Sequence, residues 1–505
     1  MDYIQVPVIM NILPETLALV ISWIVVTVYV ISVVLINVYC LIQLWLFLKG
    51  RGNNIQYSVS IPSEWPLVTV QLPVYNEKYV IDRLIDNIVM FDYPSDKLEI
   101  QILDDSTDET SELIKQKLLQ YKHTGILLTH LQRKDRSGFK AGALKAGMKS
   151  AKGNFIAIFD ADFLPRPDFL KQTIPYFSNS RTGVVQTRWE HINADYSWMT
   201  MMQAMQLNVH FMAEQSGRQS AGLFLQFNGT GGVWRKETIL DAGNWEADTL
   251  TEDLDLSYRA QIKGWDIQYL KNIGSPSELP VEMNGFKAQQ FRWMKGGAET
   301  AKKILPQLFK SSLPLSTKIH SAIHLLNSSV FLILMSCMIS SLFITGATGF
   351  LGIPINFLAW LPLGLLSLFF VYYSCNKHIL KSKYSVLRII SFFPYFLSFL
   401  ALSSGLSYHN ARAVCLGYMG KKTSFIRTPK FNILNKGDRI KENSYLNRTA
   451  RFVLSIEILI TAVLLYSLIH QISNGVYYFL YFHLMLFLGY IGIIYYTLKD
   501  AHSKH

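Results

Sequence analysis

Phe155-Ile156-Ala157-Ile158-Phe159-Asp160-Ala161-Asp162 decides how the middle of this chain folds. An unbroken apolar run that stops at two carboxylates flanking one small residue reads as a strand buried on both faces, with its polar end open to a ligand. Moving back from it, Phe139–Ser150 has a helical pattern and Ile126–Leu131 reads as a strand. Thr110–Tyr121 is helix-like, Leu98–Leu103 a strand, Glu77–Met90 a helix and Leu67–Leu72 a strand. Such alternation predicts a parallel sheet with helices on both faces, and ligands bind such sheets at the carboxyl ends of the strands. The acidic residues sit at those ends.

Further out the character changes. Thr16–Leu48 is almost continuously apolar and ends at Lys49-Gly50-Arg51. About 20 apolar residues cross a bilayer, so this is a membrane helix. Its basic end predicts that residue 50 onward is cytosolic and the N-terminus outside. It lacks the basic start and short apolar core of a cleavable signal. Ile323–Thr345, Ile353–Tyr373, Phe452–Ile472 and Val476–Leu498 are further spans, the last two joined at Ser473-Asn474-Gly475. Val386–Leu406 is apolar enough to cross, but Lys377, Lys381 and Lys383 precede it, Arg388 lies at its start, and the stretch from Arg412 to Arg451 is strongly basic. Both flanks are therefore expected in the cytosol, which predicts a re-entrant or interfacial stretch. The expected organisation is a membrane helix in 1–50, a linker in 51–65 and a cytosolic α/β domain in 66–310 with an interfacial helix near its end. A membrane region in 311–406, a basic cytosolic loop in 407–451 and two membrane helices in 452–498 follow.

Composition agrees. The chain is 50% hydrophobic and carries a net charge of +12. The basic residues crowd beside apolar segments, which fits membrane orientation and an anionic diphosphate substrate and gives no support to a nucleic-acid partner. Cys40, Cys337, Cys375 and Cys415 are too dispersed for a zinc site or a disulfide framework.

Each acidic cluster admits two uses. Asp160 and Asp162 offer hard oxygen ligands for Mg2+ or Mn2+, which would neutralise a diphosphate; the alternative is a solvated turn. Asp104 and Asp105 could accept hydrogen bonds from a nucleoside or, with Asp108, cap a helix. Thr251-Glu252-Asp253 is ordinary chemistry for a helix start, and also a placement for a general base. In Gln289-Gln290-Phe291-Arg292-Trp293 the guanidinium suits phosphate and the indole suits a sugar face, while Trp293 and Lys295 equally suit a membrane interface.

In order along the chain, these segments closely resemble the inverting family-two glycosyltransferases of the cellulose-synthase and mannan-synthase type. The resemblance rests on QLPVYNE (Gln71–Glu77), DDSTDET (Asp104–Thr110), FKAGAL (Phe139–Leu144), DAD (Asp160–Asp162), FNGTGGVWR (Phe227–Arg235), TED (Thr251–Asp253) and QQFRW (Gln289–Trp293), and runs from about Val68 to Lys430. It implies a GT-A-like α/β domain inserted between transmembrane helices. Asp104 and Asp105 would bind the nucleotide, with Lys140 also on the donor side. Asp160 and Asp162 would hold the metal and diphosphate, aided by Arg292. Asp253 would be the catalytic base with Glu252 beside it, and Gly229, Thr230, Gln289 and Trp293 would face the acceptor. Phe425-Ile-Arg-Thr-Pro-Lys430 resembles the loop that covers the site in the synthases, which places Lys430 near the diphosphate. Phe163 stands where some cellulose synthases carry a histidine. The single amino-terminal segment is closer to mannan-synthase-like members, and control by a bound second messenger is not expected. The implied activity is metal-dependent transfer of a hexose from a UDP- or GDP-hexose, with inversion, to a growing polysaccharide, coupled to its passage through the membrane. A glycolipid synthase using a membrane lipid acceptor, and a non-catalytic scaffold or transporter, are the alternatives.

Overall fold

The computed structural model describes residues 14–52, 59–355, 363–380, 385–423, 426–435, 437–438 and 450–502. The helices used below are α1 (Glu15–Gly52), α2 (Ile81–Val89), α3 (Thr110–Gln120), α4 (Phe139–Met148), α5 (Trp198–Val209), α6 (Glu252–Ile262) and α7 (Met283–Lys310). They continue with α8 (Val330–Leu351), α9 (Gly364–Asn376), α10 (Ser385–Gly405), α11 (Ser407–Tyr418), α12 (Arg451–Ser473) and α13 (Leu480–His502). The strands are β1 (Val68–Val74), β2 (Leu98–Asp104), β3 (Leu127–Gln132), β4 (Phe155–Ile158), β5 (Thr182–His191), β6 (Gly232–Arg235) and β7 (Asp266–Ser277).

The strands form one sheet in the order β3-β2-β1-β4-β6-β5-β7. β1 to β4 are parallel, as the alternating pattern predicts. The second half departs from that expectation, because β6 runs antiparallel to both β4 and β5. Gly229 and Gly231, at φ +81° and +65°, turn the chain just before β6. The Gly231 amide then donates to Ile158 O, so β6 starts where β4 stops. The reversal delivers the FNGTGG segment to the end of the strand carrying Asp160.

β4 shows why the sheet is a two-sided core. Phe155, Ala157 and Phe159 pack with Val68, Val70 and Leu72 and with Ile81, Leu84 and Ile88 of α2 on one face. Ile156 and Ile158 point the other way, onto Ala141, Leu144 and Met148 of α4. Alternate residues of a strand face opposite sides, so an all-apolar run requires both sides covered. Burying each such side chain is worth about 1.5–3 kcal/mol, which fixes the strand end and with it the Asp160-Ala161-Asp162 turn.

Glu15–Gly52, Asn327–Leu351, Val386–Gly405, Arg451–Ser473 and Leu480–Asp500 are each long and apolar enough to cross a membrane. Their outer faces expose Trp23, Ile24, Ile31, Leu41, Ile390 and Tyr466 among others. Such surfaces suit lipid and not water, and the chain is a multi-pass membrane protein. The span expected at Ile353–Tyr373 lies partly outside the described residues; its described part is α9, which runs on to Asn376. The stretch expected to be re-entrant or interfacial forms one continuous helix, α10, of 21 residues with Pro394 inside. Its length allows a crossing, which flanking charge alone did not suggest. Phe392, Phe396 and Phe399 of α10 pack their rings against Phe369 and Tyr372 of α9.

The α/β domain is tied to these helices by specific contacts. The Lys287 ammonium of α7 lies 2.8 Å from the Glu457 carboxylate of α12, both buried. Asn376 donates to Met205 O, joining α9 to α5. At the base of α1 a Cβ on Gly217 would lie 2.2 Å from Leu46 O, so only glycine allows that approach.

Candidate active site

Strand ends of the parallel half supply the first wall. Asp104 and Asp105 close β2 but do different work. Asp104 turns inward and accepts hydrogen bonds from the Ser106 amide (2.8 Å), Ser111 Oγ (2.6 Å) and His130 Nε2 (2.8 Å). Burial opposes its charge, but these bonds prevail and hold its carboxyl below the usual range. Asp105 faces the cavity, gripped by Arg133, whose Nη1 and Nη2 also donate to Ser137 O and Phe139 O. The cap position of α3, Glu109, makes no side-chain cap bond; Asp104 and Asp108 instead accept the nearby Ser106 and Thr110 amides. Asp105 alone of the expected pair is open to a ligand.

Asp160 and Asp162 follow β4. Lys140, from the first turn of α4, lies 2.5 Å from Asp160 Oδ1 and donates to Gly229 O at 2.9 Å. The Asp160 amide donates to Thr230 Oγ1 at 2.9 Å. Asp162 pairs with Lys430 at 2.8 Å. Both carboxylates line the same cavity, and each keeps an oxygen outside its ion pair. Two hard carboxylates open to one space fit a divalent cation that completes its shell with phosphate and water. A different acidic cluster, Glu246, Asp248 and Asp255, does not fit one, because the Lys303 ammonium lies within 2.6–3.0 Å of all three.

Glu252 and Asp253 open α6. The expected Thr251 cap is not made; its hydroxyl instead meets Thr300 Oγ1 at 3.0 Å, fastening α6 to α7. Burial, with the Glu252 carboxylate next to it, pushes the Asp253 carboxyl up to about 7, against the pull of Lys140. Burial also raises Glu252. Lys140 is buried too, but Asp160, Glu252 and Asp253 together hold its ammonium above the usual range. Gly229 is pressed onto this group: a Cβ there would lie 3.0 Å from Asp253 Oδ2 and 3.5 Å from Lys140 Nζ.

The loop at 426–435 covers the cavity. Arg427 pairs with Glu77, its Nε donating at 3.0 Å, and Arg292 Nη2 of α7 donates to Thr428 Oγ1 at 3.0 Å. Phe431 donates its amide to Glu278, which also holds Arg83. Phe425 lies outside the described residues. Glu77 and Arg427 stand in the quoted motifs without an expected role, and Arg136 stands in none of them. Arg136 sits 3.3 Å from the centre of the Tyr75 ring, above the nucleotide end. An Arg stacked on a Tyr beside a carboxylate is the signal that spacing along the chain could not reveal.

Three cavities adjoin. The first, of about 680 Å3, holds Tyr75, Asp105, Arg136, Asp160, Asp162 and Lys430. The second, about 840 Å3, shares Asp160, Asp162, Arg292 and Lys430 with it and adds Glu252, Asp253, Gly229, Gln289 and Trp293. The third, about 1180 Å3, shares Trp189, Asn228, Asp253 and Trp293 with the second and extends to Tyr39 and Gln43 of α1 and Tyr372 of α9. Every expected site residue except Asp104 and Thr230 lines the first two; Thr230 is buried behind Asp160. An anionic pocket bordered by cations, a buried carboxylate at its inner end and a chamber of aromatic and amide groups beyond it suit transfer of a group from a phosphate leaving group to a hydroxyl acceptor.

Residues 66–296 match the family described as glycosyltransferase like family 2. The chain is 42% identical over 264 residues to glucomannan 4-beta-mannosyltransferase 1 of Oryza sativa subsp. japonica, covering 51% of each chain. It is 41% identical over 254 residues to glucomannan 4-beta-mannosyltransferase 7 of Arabidopsis thaliana, covering 49% of this chain and 46% of that one. The chain thus spans about half the length of the curated relatives it matches. Its fold is that of the mannosyltransferase PcManGT from Pyrobaculum calidifontis, solved with GDP-Man and Mn2+: the TM-score is 0.54 at 18% identity, over 79% of this chain and 100% of that one. Over residues 66–296 the chain is thus similar to the family described as glycosyltransferase like family 2, and over about half its length to the glucomannan 4-beta-mannosyltransferases.

Proposed function

We propose that this chain is an inverting hexosyltransferase that extends a β-linked, mannan-type polysaccharide from a nucleotide-diphospho sugar of the GDP-mannose kind. Asp105, Tyr75 and Arg136 bind the nucleoside, and Lys140, Arg292 and Lys430 meet the diphosphate. Asp160 and Asp162 would hold Mg2+ or Mn2+, which would add charge neutralisation for the leaving group. Asp253 removes the proton from an acceptor hydroxyl; that oxygen bonds to the anomeric carbon as the bond to the diphosphate breaks, inverting the centre. The elongating glycan sits on Trp293, with Gln289 and Gly229 forming the near wall and Thr230 behind it, holding the Asp160 amide. The domain faces the cytosol, on the side of the basic flanks.

One observation carries this reading: the cavity holding Asp253 opens on one side to the cation-lined pocket and on the other to a large chamber reaching the membrane helices. The relatives' names supply the sugar. The test is to reconstitute the purified chain, supply radiolabelled nucleotide sugars one at a time with Mg2+ or Mn2+, and size the product. Polymer made from GDP-mannose supports the proposal. A labelled species that runs as a lipid favours a glycolipid synthase, and no incorporation from any donor sinks both.

A further inference from the structure

Behind Asn228 lies a buried polar chain that runs from the active site to the amino-terminal membrane helix. It is built on the π-turn His210–Gln215 that follows α5. Such turns add a residue to a helix and are frequent at functional sites. His210 Nδ1 lies 2.8 Å from Glu214 Oε2, and Nε2 lies 3.0 Å from Asn228 Oδ1. Gln226 donates to the same oxygen at 2.8 Å. Gln43 Nε2, from α1, donates to Glu214 Oε1 at 2.5 Å. The contacts fix both amides. Asn228 Oδ1 and Gln43 Nε2 are used inside the chain, so Asn228 Nδ2 and Gln43 Oε1 are the remaining ends. Both are buried without a hydrogen-bond partner among the described residues. Asn228 is 8% exposed and Gln43 4% exposed, and both line the third cavity.

Leaving a buried donor or acceptor unmatched costs about 1–3 kcal/mol, so such groups imply a ligand or ordered water. Here a donor and an acceptor face one chamber that also presents the Trp189 and Trp293 rings. Neutral amides paired with aromatic faces suit sugar hydroxyls and C–H surfaces, and they do not suit an anion. We propose that Asn228 and Gln43 are acceptor-binding residues for the glycan, with His210 and Glu214 as positioning residues that set their amides, so that the amino-terminal membrane helix is part of the acceptor site. This rests on the glycan-extending function proposed above. Close packing of α1 onto this segment at Gly217 and Leu46 holds the two halves in register.

The test uses the full chain in detergent or nanodiscs, with GDP-mannose and a β-1,4-manno-oligosaccharide of several units as added acceptor. KM is measured for acceptor and donor separately in Asn228→Asp, Gln43→Leu and Glu214→Gln variants. Binding of a fluorescent GDP analogue identifies variants with a folded donor site. The expected result is an acceptor KM raised about tenfold in Asn228→Asp and Gln43→Leu and several-fold in Glu214→Gln, with donor KM within about twofold of the unaltered chain. Acceptor KM unchanged in both Asn228→Asp and Gln43→Leu, or donor and acceptor KM rising together, overturns the inference and leaves the glycosyltransferase reading standing. No transfer from any nucleotide sugar by the unaltered chain overturns that reading and the inference with it.

Discussion

On the donor side of Asp253, Asp105, Asp160, Asp162 and Glu77 are each matched to a cation, in pairs with Arg133, Lys140, Lys430 and Arg427. On the acceptor side the lining is chiefly amide, indole, phenol and imidazole: Asn228, Gln43, Trp189, Trp293, Tyr372 and His210, with Glu214 held inside a hydrogen-bonded chain. The difference matches what each side would hold under the proposed function. A departing diphosphate gains negative charge and needs fixed cations in a site shielded from water. A glycan carries no charge, and it is read by neutral donors, acceptors and apolar ring faces. The donor side is assembled from loops at strand ends, where side chains turn on short tethers. The other side draws on helices of the domain and the membrane, with Trp189 from β5 and Asn228 from the segment before β6.

The sharpest way to break this comparison is at the junction. Asp253→Asn keeps the shape and removes the base, so transfer should fall by about 10³-fold, within the usual range for a general base, while binding of a fluorescent GDP analogue changes less than about threefold. Retained transfer would dissolve the boundary between the two sides. Asp160→Asn or Asp162→Asn should strike the donor side alone. Donor kcat/KM should fall by about 10²-fold, an amount expected from the loss of a charged group in a water-excluded site, and the response to added Mn2+ should weaken. Acceptor KM should hold.

The pH profile comes next. Asp253 acts as a base only when ionised, and its carboxyl is raised to about 7. Acceptor-dependent kcat/KM should therefore climb about tenfold per pH unit below 7 and level off above it. A profile flat from pH 5 to 8 would contradict the assignment. The same shift affects stability with a definite sign. The folded domain keeps a proton that the unfolded chain has released, so this group lowers stability as pH rises from the ordinary carboxylate range to about 7. The smallest effect is expected at the covering loop. Arg427→Ala removes its pairing with Glu77, and donor KM should rise roughly three- to tenfold, the cost of a partly buried ion pair. No change would mean that this pair does not hold the loop over the donor.

How much of this was legible in the sequence divides along the same line. The parallel half of the sheet was readable because an all-apolar strand such as Phe155–Ile158 can only be buried on both faces. The placement of Asp105, Asp160 and Asp162 was readable because they stand at strand ends in short local patterns. Antiparallel β6 was not, since four residues, Gly232–Arg235, carry too little periodicity to show direction. Asp104 was assigned to the nucleotide, but its side chain turns inward to His130 and Ser111, a choice that two adjacent aspartates do not reveal. Glu214, His210, Asn228 and Gln43 meet across up to 185 residues of chain and belong to elements whose own patterns are apolar. Only packing brings them together. The helix α10 is long and apolar enough to cross, and a continuous helix is equally compatible with the interfacial placement that the flanking lysines predict.

The account turns on a glycan lying in the chamber behind Asp253. The most direct measurement is a cryo-electron microscopy structure of the Asp253→Asn chain in nanodiscs with GDP, Mn2+ and a manno-oligosaccharide. The account predicts sugar density on Trp293, with its terminal hydroxyl beside residue 253 and further units running past Asn228 toward Gln43. Density for the oligosaccharide elsewhere, with that chamber filled by lipid or water, would contradict it.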